Sequence, residues 1–193
     1  MFHDLSRDGF GRPSVFKRTN GSPVPATILR LNQGKEDCFS MLQAGNRFPD
    51  FSLVNQDKKS VSLSDFAGHW LAIYFYPKDD TPGCTIQGKA FTASKRDFDA
   101  AGIKIVGVSA DDAASHKNFC NKFSLTVDLL ADTGSTLMRR LRIGQSEWQG
   151  MKFWERTTFV VDPGGMIRKV YEKVNPEGHE QLLLSDIRAL QQT

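Results

Sequence analysis

Apolar residues run without a break from Trp70 to Phe75, a stretch too short for a helix and dominated by aromatic and branched side chains. That pattern predicts a strand buried on both faces. A polar segment, Tyr76 to Thr85, interrupts it, and beyond Cys84 the apolar positions Phe91, Phe98 and Ala101 recur at helical spacing. The alternation then repeats. Ile103 to Ser109 reads as a second buried strand and Asp112 to Phe123 as a helix, with His116, Phe119, Cys120 and Phe123 on one face. Val127 to Leu130 predicts a third strand and Thr136 to Leu141 a short helix.

Shorter signals flank this centre. Phe51 to Val54 and Val61 to Leu63 read as strands joined by the polar turn Asn55 to Ser60. Ser64-Asp65 then caps a helical turn ending at Gly68. Arg142 to Glu155 is expected to be a loop lined by Trp148, Phe153 and Trp154. Thr157 to Val161, the turn Asp162-Pro163-Gly164-Gly165, and Met166 to Val174 predict a hairpin. A last helix spans about Glu177 to Gln192, with Leu183, Ile187 and Leu190 inward. Strands alternating with helices, then a hairpin and a closing helix, give an α/β sandwich around a mixed sheet.

Met1 to Ser40 carries no sustained periodicity and is broken repeatedly by glycine and proline. It is expected to be a poorly ordered arm (1–40) ahead of a single globular domain (41–193), with Met41 opening the patterned segment. The arm holds 6 of the 25 basic residues and 4 of the 22 acidic ones, so the rest of the chain is nearly neutral. A net charge of +3 asks for neither a nucleic-acid nor an anionic-membrane partner. No apolar run approaches the ~20 residues of a membrane span. Asp4, Asp8, Glu36 and Asp37 speak against an organelle transit peptide, and no apolar leader core follows Met1. Three cysteines do not make a disulfide framework, which points to a reducing, cytoplasmic setting. The cysteines and the four histidines lack zinc-like spacing, so neither metal nor cofactor is expected.

The chemistry is concentrated at Cys84, where a strand hands over to the first turn of a helix. Unpaired backbone N–H groups and the positive end of the helix dipole favour an anion there. A thiol so placed ionises more readily, and the thiolate is the nucleophile. Pro77-x-x-x-Thr81-x-x-Cys84 resembles the peroxiredoxin active-site motif. The fuller string YPKDDTPGCT, with RTTFVVD at Arg156 to Asp162 and Val174-x-x-x-Gly178-His179, is similar to the peroxiredoxin Q branch, also called bacterioferritin comigratory protein.

The resemblance covers about residues 41–193 and implies a thioredoxin-like fold with an extra N-terminal hairpin. It also implies thiol-dependent reduction of peroxides. By resemblance, Cys84 is the peroxidatic cysteine and Arg156 sets its positive charge beside the sulfur. Thr81 offers a hydroxyl to the thiolate and the peroxide. Pro77, without an N–H, shields the sulfur. Gln87, one turn on, either hydrogen-bonds near the pocket or is an exposed polar residue.

Many members of the branch place a resolving cysteine where this chain has Lys89. Others place it in the following helix, and Cys120 matches that variant. Cys120 is also suited simply to fill core beside Phe119 and Phe123, and Cys38, in the arm, is either a substitute resolver or, more readily, an incidental thiol. The expected cycle runs through a Cys84 sulfenic acid and a Cys84–Cys120 disulfide to reduction by thioredoxin, in a monomer or weak dimer. The alternatives are a one-cysteine cycle resolved by an external thiol, or a non-catalytic thioredoxin-fold binding module.

Overall fold

The computed structural model describes residues 40–192. The expected leading arm, with Cys38 in it, lies outside the described residues apart from Ser40. In chain order the elements are β1 (Ser52–Asn55), β2 (Ser60–Ser62), a 3-10 turn (Leu63–Phe66), β3 (Trp70–Phe75) and α1 (Pro82–Ala100). They continue with β4 (Ile103–Ser109), α2 (Ala113–Phe123), β5 (Asp128–Ala131) and α3 (Thr136–Leu141). The chain closes with β6 (Gln145–Trp148), β7 (Met151–Trp154), β8 (Thr157–Val161), β9 (Ile167–Tyr171) and α4 (His179–Leu190).

Seven strands form one mixed sheet in the order β2-β1-β5-β4-β3-β8-β9. The middle strands β3, β4 and β5 run parallel, and β1, β2, β8 and β9 extend the sheet with antiparallel pairs. The β1–β2 hairpin is the N-terminal addition expected of the fold. Strand β3 lies at the centre, which is why its sequence is apolar at every position rather than at alternate ones. Leu71, Ile73 and Phe75 face a core with α3 and Phe159, while Ala72 and Tyr74 face a second core with Phe91, Phe98, Leu183 and Ile187. Each fully buried aliphatic or aromatic side chain here contributes about 1.5–3 kcal/mol.

Gly107 on β4 is paired with Tyr74 across the sheet. A Cβ at this position would lie 2.6 Å from the Tyr74 ring and 2.7 Å from Leu129. Glycine is required because the tyrosine occupies the space. Tyr74 in turn stacks on Phe91 of α1, ring centroids 4.6 Å apart, and so fixes the helix that begins at the candidate nucleophile.

One expected loop is instead structured. Arg142 to Glu155 contains the β6–β7 hairpin, a separate two-stranded sheet. Its turn residues Gln149 and Gly150 both have positive φ, 51° and 76°. Such a turn usually carries Asn-Gly or Asp-Gly, and glutamine in the first place left no turn signal. Trp154 is half-buried against the α3 core, its indole N–H donating to Ser135 Oγ at 3.1 Å. Phe153 is likewise half-buried, whereas the side chain of Trp148 lies outside the described residues. The 3-10 turn is capped by Ser62, with Asp65 accepting from the Ser62 amide at 2.7 Å, two residues earlier than the predicted cap.

Candidate active site

Strand β3 ends at Phe75, and Tyr76 still donates its N–H to Val108 at 3.1 Å. The chain then turns through Pro77 to Asp80, the last with φ 56°, a left-handed conformation that aspartate tolerates. Thr81 is the N-cap of α1, Pro82 supplies a first helical residue with no N–H to satisfy, and Cys84 sits in the first turn. The first helical bond is Thr85 N–H to Thr81 C=O at 2.9 Å. The amides of Gly83 and Cys84 precede it and point out of the helix end, as anion sites require.

Arg156 comes from the residue before β8, next to β3 in the sheet. Its Nη2 donates to Cys84 Sγ at 3.4 Å, and its Nη1 donates to Gln87 Oε1 at 2.6 Å. The guanidinium thus bridges two positions one helical turn apart. Three features hold it there. The Arg156 carbonyl accepts from Val174 N–H at 2.9 Å. Gly83 has no Cβ, and one would lie 3.2 Å from Nη2 and 3.5 Å from Pro176. Gln87 is itself buried. Its Nε2 has no hydrogen-bond partner among the described residues and is fully buried. Gln87 is therefore part of the site rather than an exposed polar residue; its position three residues after Cys84, on the same helix face, was the available signal.

Thr81 is half-buried, and its hydroxyl donates to the Lys78 carbonyl at 3.2 Å, which leaves oxygen lone pairs as acceptors. Pro77 is half-buried in the same loop. Cys120 lies on α2, buried in the same core cluster as Cys84, Tyr74 and Phe119. Both cysteines are free thiols. Burial, then the negative charge of Asp79, pushes the Cys120 thiol up to about 11, so it is protonated at neutral pH. Lys89 is exposed, its ammonium 5.0 Å from the ring centroid of Phe123 on α2. Among the described residues no three His, Cys, Asp or Glu side chains converge as a metal site.

His179, the first residue of α4, is a further member of this neighbourhood. It is buried, and its Nε2 hydrogen-bonds Thr158 Oγ1 at 3.0 Å. Burial, then the Arg156 charge, pushes the imidazole down to about 4 from 6.5. An unfolded chain takes up this proton near pH 6.5 and the folded chain only near pH 4, so acid favours unfolding across that window. The loss at pH 4 reaches about 3 kcal/mol. Calorimetry is expected to show the melting temperature falling between pH 6.5 and pH 4, and a His179→Gln variant to flatten that fall. Carboxylates contribute mainly below this window, so an equal slope in the variant would refute the assignment.

A family model for the AhpC/TSA family matches residues 44–170. Among curated relatives, peroxiredoxin Bcp of Xanthomonas campestris is 42% identical over 143 residues, covering 72% of this chain and 89% of that protein. Chloroplastic peroxiredoxin Q of Sedum lineare is 35% identical over 191 residues, covering 98% and 95%. Among solved structures, a cysteine mutant of Xanthomonas campestris peroxiredoxin Q superimposes with a TM-score of 0.71 at 37% identity. That match covers 77% of this chain and 99% of the other. The fold agrees with this kinship, and the chain belongs to the AhpC/TSA family and, within it, to the peroxiredoxin Q branch of thiol peroxidases.

Proposed function

We propose that the protein reduces hydrogen peroxide and organic hydroperoxides at Cys84, with Cys120 as the resolving thiol and thioredoxin as the reductant. The observation that carries the first half is the Arg156 guanidinium at 3.4 Å from Cys84 Sγ, at a helix N-terminus. The sulfur, as thiolate, attacks one peroxide oxygen. The O–O bond breaks, the leaving oxygen takes a proton and departs as water or an alcohol, and Cys84 becomes a sulfenic acid. Arg156 favours negative charge on the sulfur before the attack and on the oxygens during it. Thr81 accepts a hydrogen bond from the peroxide O–H through a lone pair, and Pro77 shields the sulfur without adding a donor. In support, the Xanthomonas campestris bacterioferritin comigratory protein, at 36% identity, is described with alkyl peroxide reduction activity.

The Cys120 thiol then displaces water from the sulfenic acid, forming a Cys84–Cys120 disulfide, and a thioredoxin dithiol reduces it back to two thiols. Two cysteine-to-serine mutants of Xanthomonas peroxiredoxin Q support the pairing, because their two substituted cysteines are separated as Cys84 and Cys120 are. The folded protein keeps Cys120 buried and its thiol protonated, and the proposed step includes an opening of α2 that frees it. The cytoplasmic setting and the monomer or weak dimer remain part of the proposal. Among the described residues no helix is long and apolar enough to cross a membrane.

The test is one equivalent of peroxide followed by non-reducing peptide mapping. A Cys84–Cys120 peptide pair is expected. A Cys84 sulfenic acid that persists until an external thiol is added would replace this cycle with the one-cysteine one. A Cys84 inert to peroxide would leave only a binding module.

A further inference from the structure

Outside the catalytic contacts, the molecule buries a hydrogen-bonded aspartate–histidine pair that peroxide chemistry does not use. Asp79, in the loop ahead of Cys84, receives three side-chain donors. Tyr76 O–H reaches Oδ1 at 2.7 Å, Ser115 O–H reaches Oδ2 at 2.7 Å, and His116 Nδ1 lies 2.8 Å from Oδ2. Asp79 is 7% exposed and His116 fully buried. Burial opposes ionisation of Asp79, but hydrogen bonding and charge from His116, with Ser115 and Tyr76, outweigh it and hold the carboxyl below its ordinary value. An ionised carboxylate can only accept, so the proton between the pair sits on Nδ1 of His116. The loop is anchored further by Asp79 N–H donating to Asp111 Oδ2 at 2.8 Å.

This cluster joins the two segments that carry the proposed cysteine pair. Asp79 lies five residues before Cys84, and His116 lies one helical turn before Cys120 on the same face of α2. Between the same segments Tyr76 also packs against Phe119 in the shared core, ring centroids 6.5 Å apart, while Lys122 with Asp80 at 2.6 Å, both about half exposed, and Lys89 over Phe123 are solvated links. Such surface contacts hold little. Removing a donor from a buried carboxylate is far more disruptive, because no water replaces the lost hydrogen bond.

We propose that Asp79 and His116 are positioning residues that latch the Cys84 loop to α2, holding the peroxide-reactive geometry and restraining the opening that lets Cys120 reach Cys84. This rests on the reading of Cys120 as the resolving thiol. The latch makes the two half-reactions respond in opposite directions. While it is closed, the sulfur and Arg156 stay aligned and Cys120 stays buried and protonated. When it is loosened, alignment suffers but Cys120 gains water and mobility.

Asp79→Asn keeps the shape and removes the charge, and Ser115→Ala removes one donor without opening the core. In reduced Asp79→Asn, hydrogen exchange at residues 76–84 and 113–123 is expected to rise about tenfold, the effect of losing a charge-assisted hydrogen bond. Exchange in β3 and β8 is expected to stay unchanged. After a peroxide pulse, Cys84 oxidation should slow while disulfide formation accelerates, with less sulfinic acid at high peroxide. Ser115→Ala should move every readout the same way by less. A merely structural role would slow both half-reactions together, and that result, or unchanged exchange in the two segments, overturns the latch. Should wild-type protein form no Cys84–Cys120 link, the resolving assignment fails instead, and the exchange measurement still decides whether the latch exists.

Discussion

Arg156→Ala is expected to lower the second-order rate constant for oxidation of Cys84 by hydrogen peroxide about 10²–10³-fold, the usual effect of deleting one preorganised donor. The guanidinium is the polar side chain bonded to the sulfur, and it does so with one arm while the other is held on Gln87. Lysine cannot make both contacts, because an ammonium is a point charge on a flexible stem. Arg156→Lys should therefore recover only a small part of the loss. Gln87→Glu separates charge from geometry. It retains an acceptor for Nη1 but sets a negative charge beside the cation, so oxidation should slow while the fold is intact. Stopped-flow measurement with far-UV circular dichroism as the folding check reads both. A rate within threefold of wild type for Arg156→Ala would remove the electrostatic account of this site.

Cys120→Ser is expected to divide the cycle in two. Oxidation of Cys84 in the first turnover should change little, since Cys120 makes no contact with Arg156 or Gln87 among the hydrogen bonds of the site. Thioredoxin-linked steady-state turnover should collapse, because the sulfenic acid has no internal partner. Cys84 then stays exposed to a second peroxide and accumulates as sulfinic acid, which that reductant does not reverse. Mass spectrometry of the intact protein after several equivalents of peroxide counts the added oxygens. Full turnover in Cys120→Ser would transfer the resolving step to an external thiol.

The two cysteines differ in how much of their role could be read from the chain. Cys84 was legible because its signal is local: an apolar strand, a turn containing Pro and Gly, and a helix start lie within a few residues of it. Arg156 was legible only through resemblance, since 72 residues separate it from Cys84 and nothing in its own surroundings marks it. Cys120 was balanced between core filler and resolving thiol; the structure shows the side chain buried among aromatics on α2, and the resolving role stays with the proposal. Gln87 was left open, while Asp79 and His116 passed as a loop residue and one more residue on the inward face of α2. Their meeting depends on the β3–β4 pairing, which draws the loop after β3 over the start of α2. The β6–β7 hairpin was missed because Gln149 takes a left-handed conformation that its type rarely announces.

By itself the amino-acid sequence determined the parallel centre of the sheet, the helices on both sides of it, and the cysteine at the start of α1. Hydrophobic period and turn chemistry act over a few residues and need no partner. Only the tertiary structure decided which cation reaches the sulfur, which amide steadies that cation, and that a buried loop aspartate is closed by a histidine from α2. Those choices belong to side chains far apart in the chain, and strand pairing and core packing bring them within hydrogen-bond distance.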